Sequence, residues 1–114
     1  MVERAVHLIH DAPAHPWTLE ALAAEVGASR ASFSRRFHDV VGEPPMTFLK
    51  HWRMAMAADL LGQPNETVGT VAEKVGYSTP FAFSAAFKRV RGLSPQAHRA
   101  QALRSRSEPA IQQR

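Results

Sequence analysis

A chain of 114 residues with a formal net charge of +4 and no cysteine suits one small domain or two lobes sharing an element. It leaves no thiol for a disulfide framework or a thiolate metal site. No run approaches the roughly 18 consecutive apolar residues of a membrane span and no charged-then-apolar leader opens the chain, so a cytoplasmic protein without membrane attachment is expected. The charge is unevenly placed: residues 1–62 carry six Lys/Arg against seven Asp/Glu, and residues 63–114 carry eight against three. That balance favours a polyanionic partner for the second half. Six scattered histidines form no converging acid, base or nucleophile set, so neither an enzyme nor a cofactor is expected.

Val2, Ala5, Val6 and Ile9 recur at helical spacing and predict a first helix ending before Pro13. His7 and His10 fall one turn apart beside Asp11, a metal-compatible spacing, but with no further ligand nearby they read as solvated surface histidines. After the break from Pro13 to Pro16, Thr18 is expected to cap a helix that buries Leu19, Leu22, Ala23 and Val26. Glu20 then lies in its positive-ended first turn, and Trp17 acts as a packing anchor. Free backbone N–H groups at that helix start suit a phosphate, which makes Thr18 a candidate DNA phosphate contact.

Ser29 is expected to cap the next helix, which runs to about Val41. With Phe33, Phe37 and Val40 turned inward at about 100° per residue, Ala31, Arg35 and His38 point outward. Ser32 and Ser34 flank that face, Arg30 lies at its N-terminal end and Arg36 nearer the core edge. As a DNA-reading face, it offers Arg35 for bidentate contact to guanine and Ser34 for a neighbouring base or phosphate. Arg30 is better placed for phosphate, with Ser32 a further candidate.

Glu43, Pro44 and Pro45 break the chain, and Met46 to Leu61 reads as the longest helix, with Phe48, Leu49, Trp52, Met56, Leu60 and Leu61 as a broad apolar stripe. Trp52, Met54 and Met56 are expected in the core or at its edge. Such a helix spans about 24 Å, less than the roughly 34 Å between major-groove openings on one DNA face, so a rigid connection implies bent DNA or one shallow contact.

Gly62 to Glu66 is a short polar connection, and Thr67 or a neighbour starts the next helix, in which Gly69 costs about 1 kcal/mol relative to alanine. Val68, Val71, Ala72 and Val75 are its inward positions. Thr79 before Pro80 signals another start. Phe83, Phe87 and Val90 face inward there, turning Phe81, Ala85 and Lys88 outward with Ser84 on the flank. Phe81 either meets thymine methyls or folds back on the turn or Tyr77. Lys88, Arg89, Arg91 and Lys74 suit phosphates, with Thr79 and Ser84 as further candidates. Ser94 and Pro95 start a final helix to about Leu103, with Ala97, Ala100 and Leu103 facing inward. Residues 104–114 are expected to form a disordered tail.

The same pattern occurs twice. Ala23, Val26 and Gly27 precede Ala72, Val75 and Gly76 by 49 residues, and Phe33, Phe37, Gly42 and Pro45 precede Phe83, Phe87, Gly92 and Pro95 by 50. The second turn thus carries one extra residue. Two helices joined by a short glycine-containing turn make a helix-turn-helix, whose second helix enters a DNA major groove. An all-α fold follows, with homeodomain-like helix-turn-helix lobes at residues 1–45 and 63–103 joined by a long central helix at 46–62.

The run Val71-Ala72, Val75-Gly76-Tyr77-Ser78, Phe83, Phe87-Lys88-Arg89, Gly92, Ser94-Pro95 and Arg99 resembles the signature of the AraC/XylS family of bacterial transcriptional regulators. The resemblance covers about residues 2–103. It implies an all-α domain that binds double-stranded promoter DNA and acts by contacting RNA polymerase, in a protein that commonly carries a separate effector-binding or dimerisation domain. It places the base-reading positions at Ala31, Ser34 and Arg35 in the first recognition helix, about residues 30–41, and at Phe81, Ala82 and Ala85 in the second, about 80–91. The chain departs from the family pattern where Ala85 stands for a common arginine, where His98 stands for the usual tyrosine, and at Gly69. The rival reading is a protein-interaction module on the same scaffold. Alkyl-transfer repair proteins share one segment with the family, but their acceptor is a cysteine, which this chain lacks.

Overall fold

The structure, a computed structural model, describes residues 1–107. Among these it holds seven α-helices and no strand: α1 (Val2–Asp11), α2 (Leu19–Glu25), α3 (Arg30–Val41), α4 (Pro45–Leu61), α5 (Val68–Lys74), α6 (Pro80–Arg91) and α7 (Pro95–Ser107).

Helix starts follow local chemistry. Thr18 Oγ1 accepts from the Ala21 N–H at 3.0 Å, Ser29 Oγ from Ser32 at 3.2 Å, Thr79 Oγ1 from Ala82 at 3.0 Å and Ser94 Oγ from Ala97 at 3.1 Å. Each satisfies a backbone donor that the helix cannot, worth about 1 kcal/mol. At α5 the capping is reciprocal: Thr67 Oγ1 accepts from the Thr70 N–H, and Thr70 Oγ1 accepts from the Thr67 N–H.

The two turns are built alike. Gly27 and Gly76 adopt φ of 69° and 92°, a left-handed conformation open to glycine at no steric cost. Each turn then closes with the following residue donating back across it, Ala28 N–H to the Ala23 carbonyl at 3.0 Å and Tyr77 N–H to the Ala72 carbonyl at 2.9 Å. From Gly27 the chain reaches its next cap, Ser29, in two residues; from Gly76 it takes three to reach Thr79.

The helices form two compact units that divide between Arg53 and Met54. In the first, Ala5, Ile9, Leu22, Ala23, Phe33, Phe37 and Leu49 form the buried core, with the rings of Phe33 and Phe37 5.7 Å apart. In the second, Met54, Ala57, Leu61, Val71, Ala72, Val75, Phe83 and Phe87 do so, and the rings of Phe83 and Phe87 are again 5.7 Å apart. Full burial of one such aromatic side chain stabilises by up to about 3 kcal/mol, so these four rings anchor α3 and α6. The long helix contributes to both cores, as its broad apolar stripe suggests. Leu49 belongs to the first core, and Met54, Ala57 and Leu61 to the second.

Trp17 is the anchor expected of it, half-buried, with its indole N–H donating to the Ala12 carbonyl at 2.9 Å. Trp52 sits at the core edge under the ring of His10, with ring centres 4.1 Å apart. His10 therefore packs on an aromatic face, although it remains largely exposed like His7.

Several expected orientations are corrected. Val40 is 71% exposed: in the last turn of α3 the inward position passes to half-buried Val41, and Val40 borders an open cleft with Met1, Val2 and Asp39. Arg36, expected nearer the core edge, is exposed like Arg35. In α7 the face of Ala97, Ala100 and Leu103 is the exposed one, and Pro95, His98, Arg99 and Ala102 turn inward. Polar contacts set that choice. His98 donates a ring N–H to the Ala58 carbonyl at 3.0 Å, and Arg99 donates to the carbonyls of Leu61 and Gln63, both at 3.3 Å. These acceptors lie in the last turn of α4 and just beyond it, where carbonyls lack intrahelical partners. Helix α7 runs to Ser107, past the expected end at Leu103, so residues 104–107 of the expected disordered tail are helical. The remainder of that tail lies outside the described residues.

Candidate nucleic-acid interface

With Phe33 and Phe37 buried on one side of α3, and Phe83 and Phe87 on one side of α6, the opposite sides are left facing solvent. The 50-residue repeat matches these faces position by position: Ala31 with Phe81, Ser32 with Ala82, Ser34 with Ser84, Arg35 with Ala85, His38 with Lys88 and Asp39 with Arg89. The scaffold is repeated and the chemistry is not.

On α3, Ala31 and Arg35 are exposed, and Ser32 and Ser34 are half-buried on the flank. Arg35 carries no ion pair among the described residues, whereas Arg30 is 3.4 Å from Glu20, both side chains being 63% exposed. That pair is solvated and worth little, so Arg30 can exchange its partner for a phosphate at small cost. The Thr18 and Thr79 oxygens accept from their own helices, but each hydroxyl hydrogen remains available to donate.

On α6, Phe81 is 85% exposed, so it does not fold back on the turn. Tyr77 packs instead on Phe83, with ring centres 5.8 Å apart. Ala82 and Ala85 are exposed, Ser84 is half-buried, and Lys88, Arg89 and Arg91 project from the last two turns with no ion pair among the described residues. Lys74 differs from these cations. Its Nζ lies 2.6 Å from Glu66 Oε2, and Thr70 Oγ1 donates to the other carboxylate oxygen at 3.2 Å. The hydrogen bond from Lys74 is the main cause holding the Glu66 carboxyl below its ordinary range, opposed by partial burial and assisted by the Lys74 charge, Thr70 and Arg99. A phosphate contact by Lys74 requires breaking this pair.

Among the described residues no three His, Asp or Glu side chains cluster closely enough to hold a metal ion, and no helix is long and apolar enough to cross a membrane. Sequence reasoning left Arg53 unremarked and named Arg99 only within the signature run; each donates to carbonyls of its own unit and so braces it rather than serving an exposed face.

A chain whose described residues hold helices and no strand, with two glycine-turned helix pairs each presenting its second helix to solvent, is a helix-turn-helix protein of the DNA-binding type. A sequence profile described as a helix-turn-helix domain matches residues 22–101. A putative AraC-like transcription regulator of Streptomyces lividans is 38% identical over 99 residues, covering 87% of this chain and 33% of that protein. The DNA-binding domain of AdpA, a global transcriptional factor solved in complex with a target DNA, superposes with a TM-score of 0.85 at 33% identity, covering 93% of this chain and 95% of that one. The C-terminal domain of AraT, a response regulator from Geobacillus stearothermophilus, gives 0.84 at 34% identity, covering 88% and 84%. The chain belongs to the AraC-type family of helix-turn-helix transcription regulators, which is not a class of enzymes. It spans about a third of the length of the curated relatives it matches.

Proposed function

We propose that this chain binds double-stranded promoter DNA sequence-specifically, inserting α3 and α6 into major grooves, as the DNA-reading part of a regulator whose other regions sense an effector or dimerise. The observation that carries the reading is the repeated scaffold with two unlike exposed faces. One has an arginine among small polar residues, and the other a run of cations beside small and apolar ones, none of these cations ion-paired among the described residues. Arg35, Ser34 and Ala31 on α3, and Phe81, Ala82 and Ala85 on α6, are the base-facing positions. Thr18, Arg30, Ser32, Thr79, Ser84, Lys88 and Arg89 hold phosphates, and Lys74 joins them only by releasing Glu66. Base discrimination then comes mainly from α3 and salt-dependent affinity mainly from α6. The family resemblance extends the proposal to a contact with RNA polymerase at the promoter.

Gel shifts on random and selected duplexes at two salt concentrations test the core of the proposal. Tight binding to selected duplexes with a steep salt dependence supports it. No binding to any duplex at low salt refutes it and leaves a protein-interaction module on the same scaffold.

A further inference from the structure

We infer that α6 reads the 5-methyl groups of pyrimidines in the major groove, so that its half-site is rich in thymine and accepts 5-methylcytosine in thymine's place. The inference rests on the DNA-binding reading above and specifies what the second helix recognises.

The surface α6 offers to bases is a stripe of Phe81, Ala82 and Ala85, spaced one, three and four residues apart and all exposed. Phe81 is 85% exposed while Phe83 and Phe87 are fully buried, and it takes no part in the Tyr77–Phe83 ring contact. None of the three side chains donates or accepts a hydrogen bond. Every base pair presents polar groups in the major groove that such a surface leaves unpaired, thymine O4 and its partner adenine included, so these groups do not discriminate here. The thymine methyl is the one major-groove feature that gains from apolar contact, and 5-methylcytosine places an equivalent methyl at the same ring carbon.

Charge complementarity makes DNA the occupant of this apolar surface. Lys88 and Arg89 follow Ala85 along the exposed side of α6, with Arg91 beside them, and none is ion-paired among the described residues. An apolar protein partner would have to desolvate these cations, whereas a phosphate backbone flanking a methyl-lined groove matches both features. The matched positions on α3 carry Arg35, His38 and Asp39, so the first helix has the polar reader that the second lacks.

The test uses the intact chain. Sequences bound from a random duplex pool are selected, and the base position that relaxes in Arg35→Ala marks the α3 half-site, leaving the other half-site to α6. Each thymine there is then replaced by uracil, which removes only the methyl, by cytosine, and by 5-methylcytosine paired with guanine. Uracil and cytosine are expected to weaken binding about fourfold at each contacted position, and 5-methylcytosine to restore it to within about twofold. Phe81→Ala should abolish the thymine-over-uracil preference and Phe81→Leu retain most of it, with circular dichroism and the α3 half-site preference unchanged. Uracil tolerated at every position of the α6 half-site overturns the inference while DNA binding stands. So does Phe81→Ala leaving methyl discrimination intact, an outcome that points to a protein partner for this residue. Absence of binding to all duplexes at low salt removes the inference together with the reading beneath it.

Discussion

Arg53 and Arg99 make the same pair of contacts in the two units. Arg53 donates Nε to the Pro13 carbonyl at 2.8 Å and a terminal nitrogen to the His15 carbonyl at 2.9 Å. Arg99 does the same with Leu61 and Gln63, at 3.3 Å for both. In each case a planar fork spans two carbonyls two residues apart, at or just beyond the end of α1 or α4. Charge-assisted hydrogen bonds of this kind contribute about 1.5 to 3 kcal/mol. Arg99→Met, which keeps the aliphatic stem, should lower the stability of the chain by about that amount in denaturant melts. DNA affinity measured well below the melting transition should change little, and a stability equal to that of the parent chain would show the fork to be ornamental.

Arg35→Ala should cost about 1 to 3 kcal/mol on the selected duplex and relax the preference at one base position. Repeating the random-pool selection with the variant checks this: an identical selected motif would remove Arg35 from base reading.

Lys88→Ala and Arg89→Ala should weaken binding to all duplexes alike, each flattening the salt dependence by about 0.9 in log–log slope for every phosphate the variant no longer neutralises. Lys74→Ala should flatten it less, because Lys74 already holds Glu66 at 2.6 Å. Affinity titrated across a salt series separates the three; an effect of Lys74 as large as that of Lys88 would count against the pairing as a brake.

Glu66 gives the second unit a defined acid response. Its carboxyl is held below its ordinary value of 4.5 by Lys74 first, so the folded state favours the ionised form. The contribution is fully present above that ordinary value and is lost as the pH falls through the lower folded value. The stability difference between the parent chain and Lys74→Met should be measurable at about pH 7 and shrink at about pH 3. A difference that is flat with pH would contradict the assignment.

Gly69→Ala should stabilise the protein. A Cβ at this helical position meets only Thr67 Oγ1 at 3.8 Å and Pro80 Cγ at 4.0 Å, ordinary van der Waals contact. Alanine is favoured over glycine in a helix interior by up to about 1 kcal/mol. A lowered melting temperature would show that the glycine serves something other than space.

What the sequence made legible was local or repeated. Thr18, Ser29, Thr79 and Ser94 were readable as caps because a cap depends on a residue and the backbone three positions on. The two turns were readable because the same glycine recurs in the same register. The face of α7 was not, since its side is chosen by carbonyls around the end of α4, some 40 residues away in the case of His98 and Ala58. Helical periodicity weighs apolar content, and here a histidine and an arginine turn inward. The bracing role that Arg53 and Arg99 share escaped for a related reason: they stand 46 residues apart, out of step with the 49- and 50-residue repeat, so no alignment of the two halves brings them together. On the exposed faces the residue types were plain, but only the structure shows that Phe81 stays in solvent and that Lys74 is engaged.

The division of α4 between two cores has a consequence for how such a chain can be rearranged. Modular proteins are recombined most easily where a loop separates their parts, because cutting a loop spares both hydrophobic interiors. Here the boundary between Arg53 and Met54 lies inside an unbroken helix of 17 residues. A cut there leaves each core its own residues of α4, but it creates two new helix ends whose backbone groups have lost their intrahelical partners. Exchange of a single unit would therefore have to remake α4 as well, because the one helix serves both interiors.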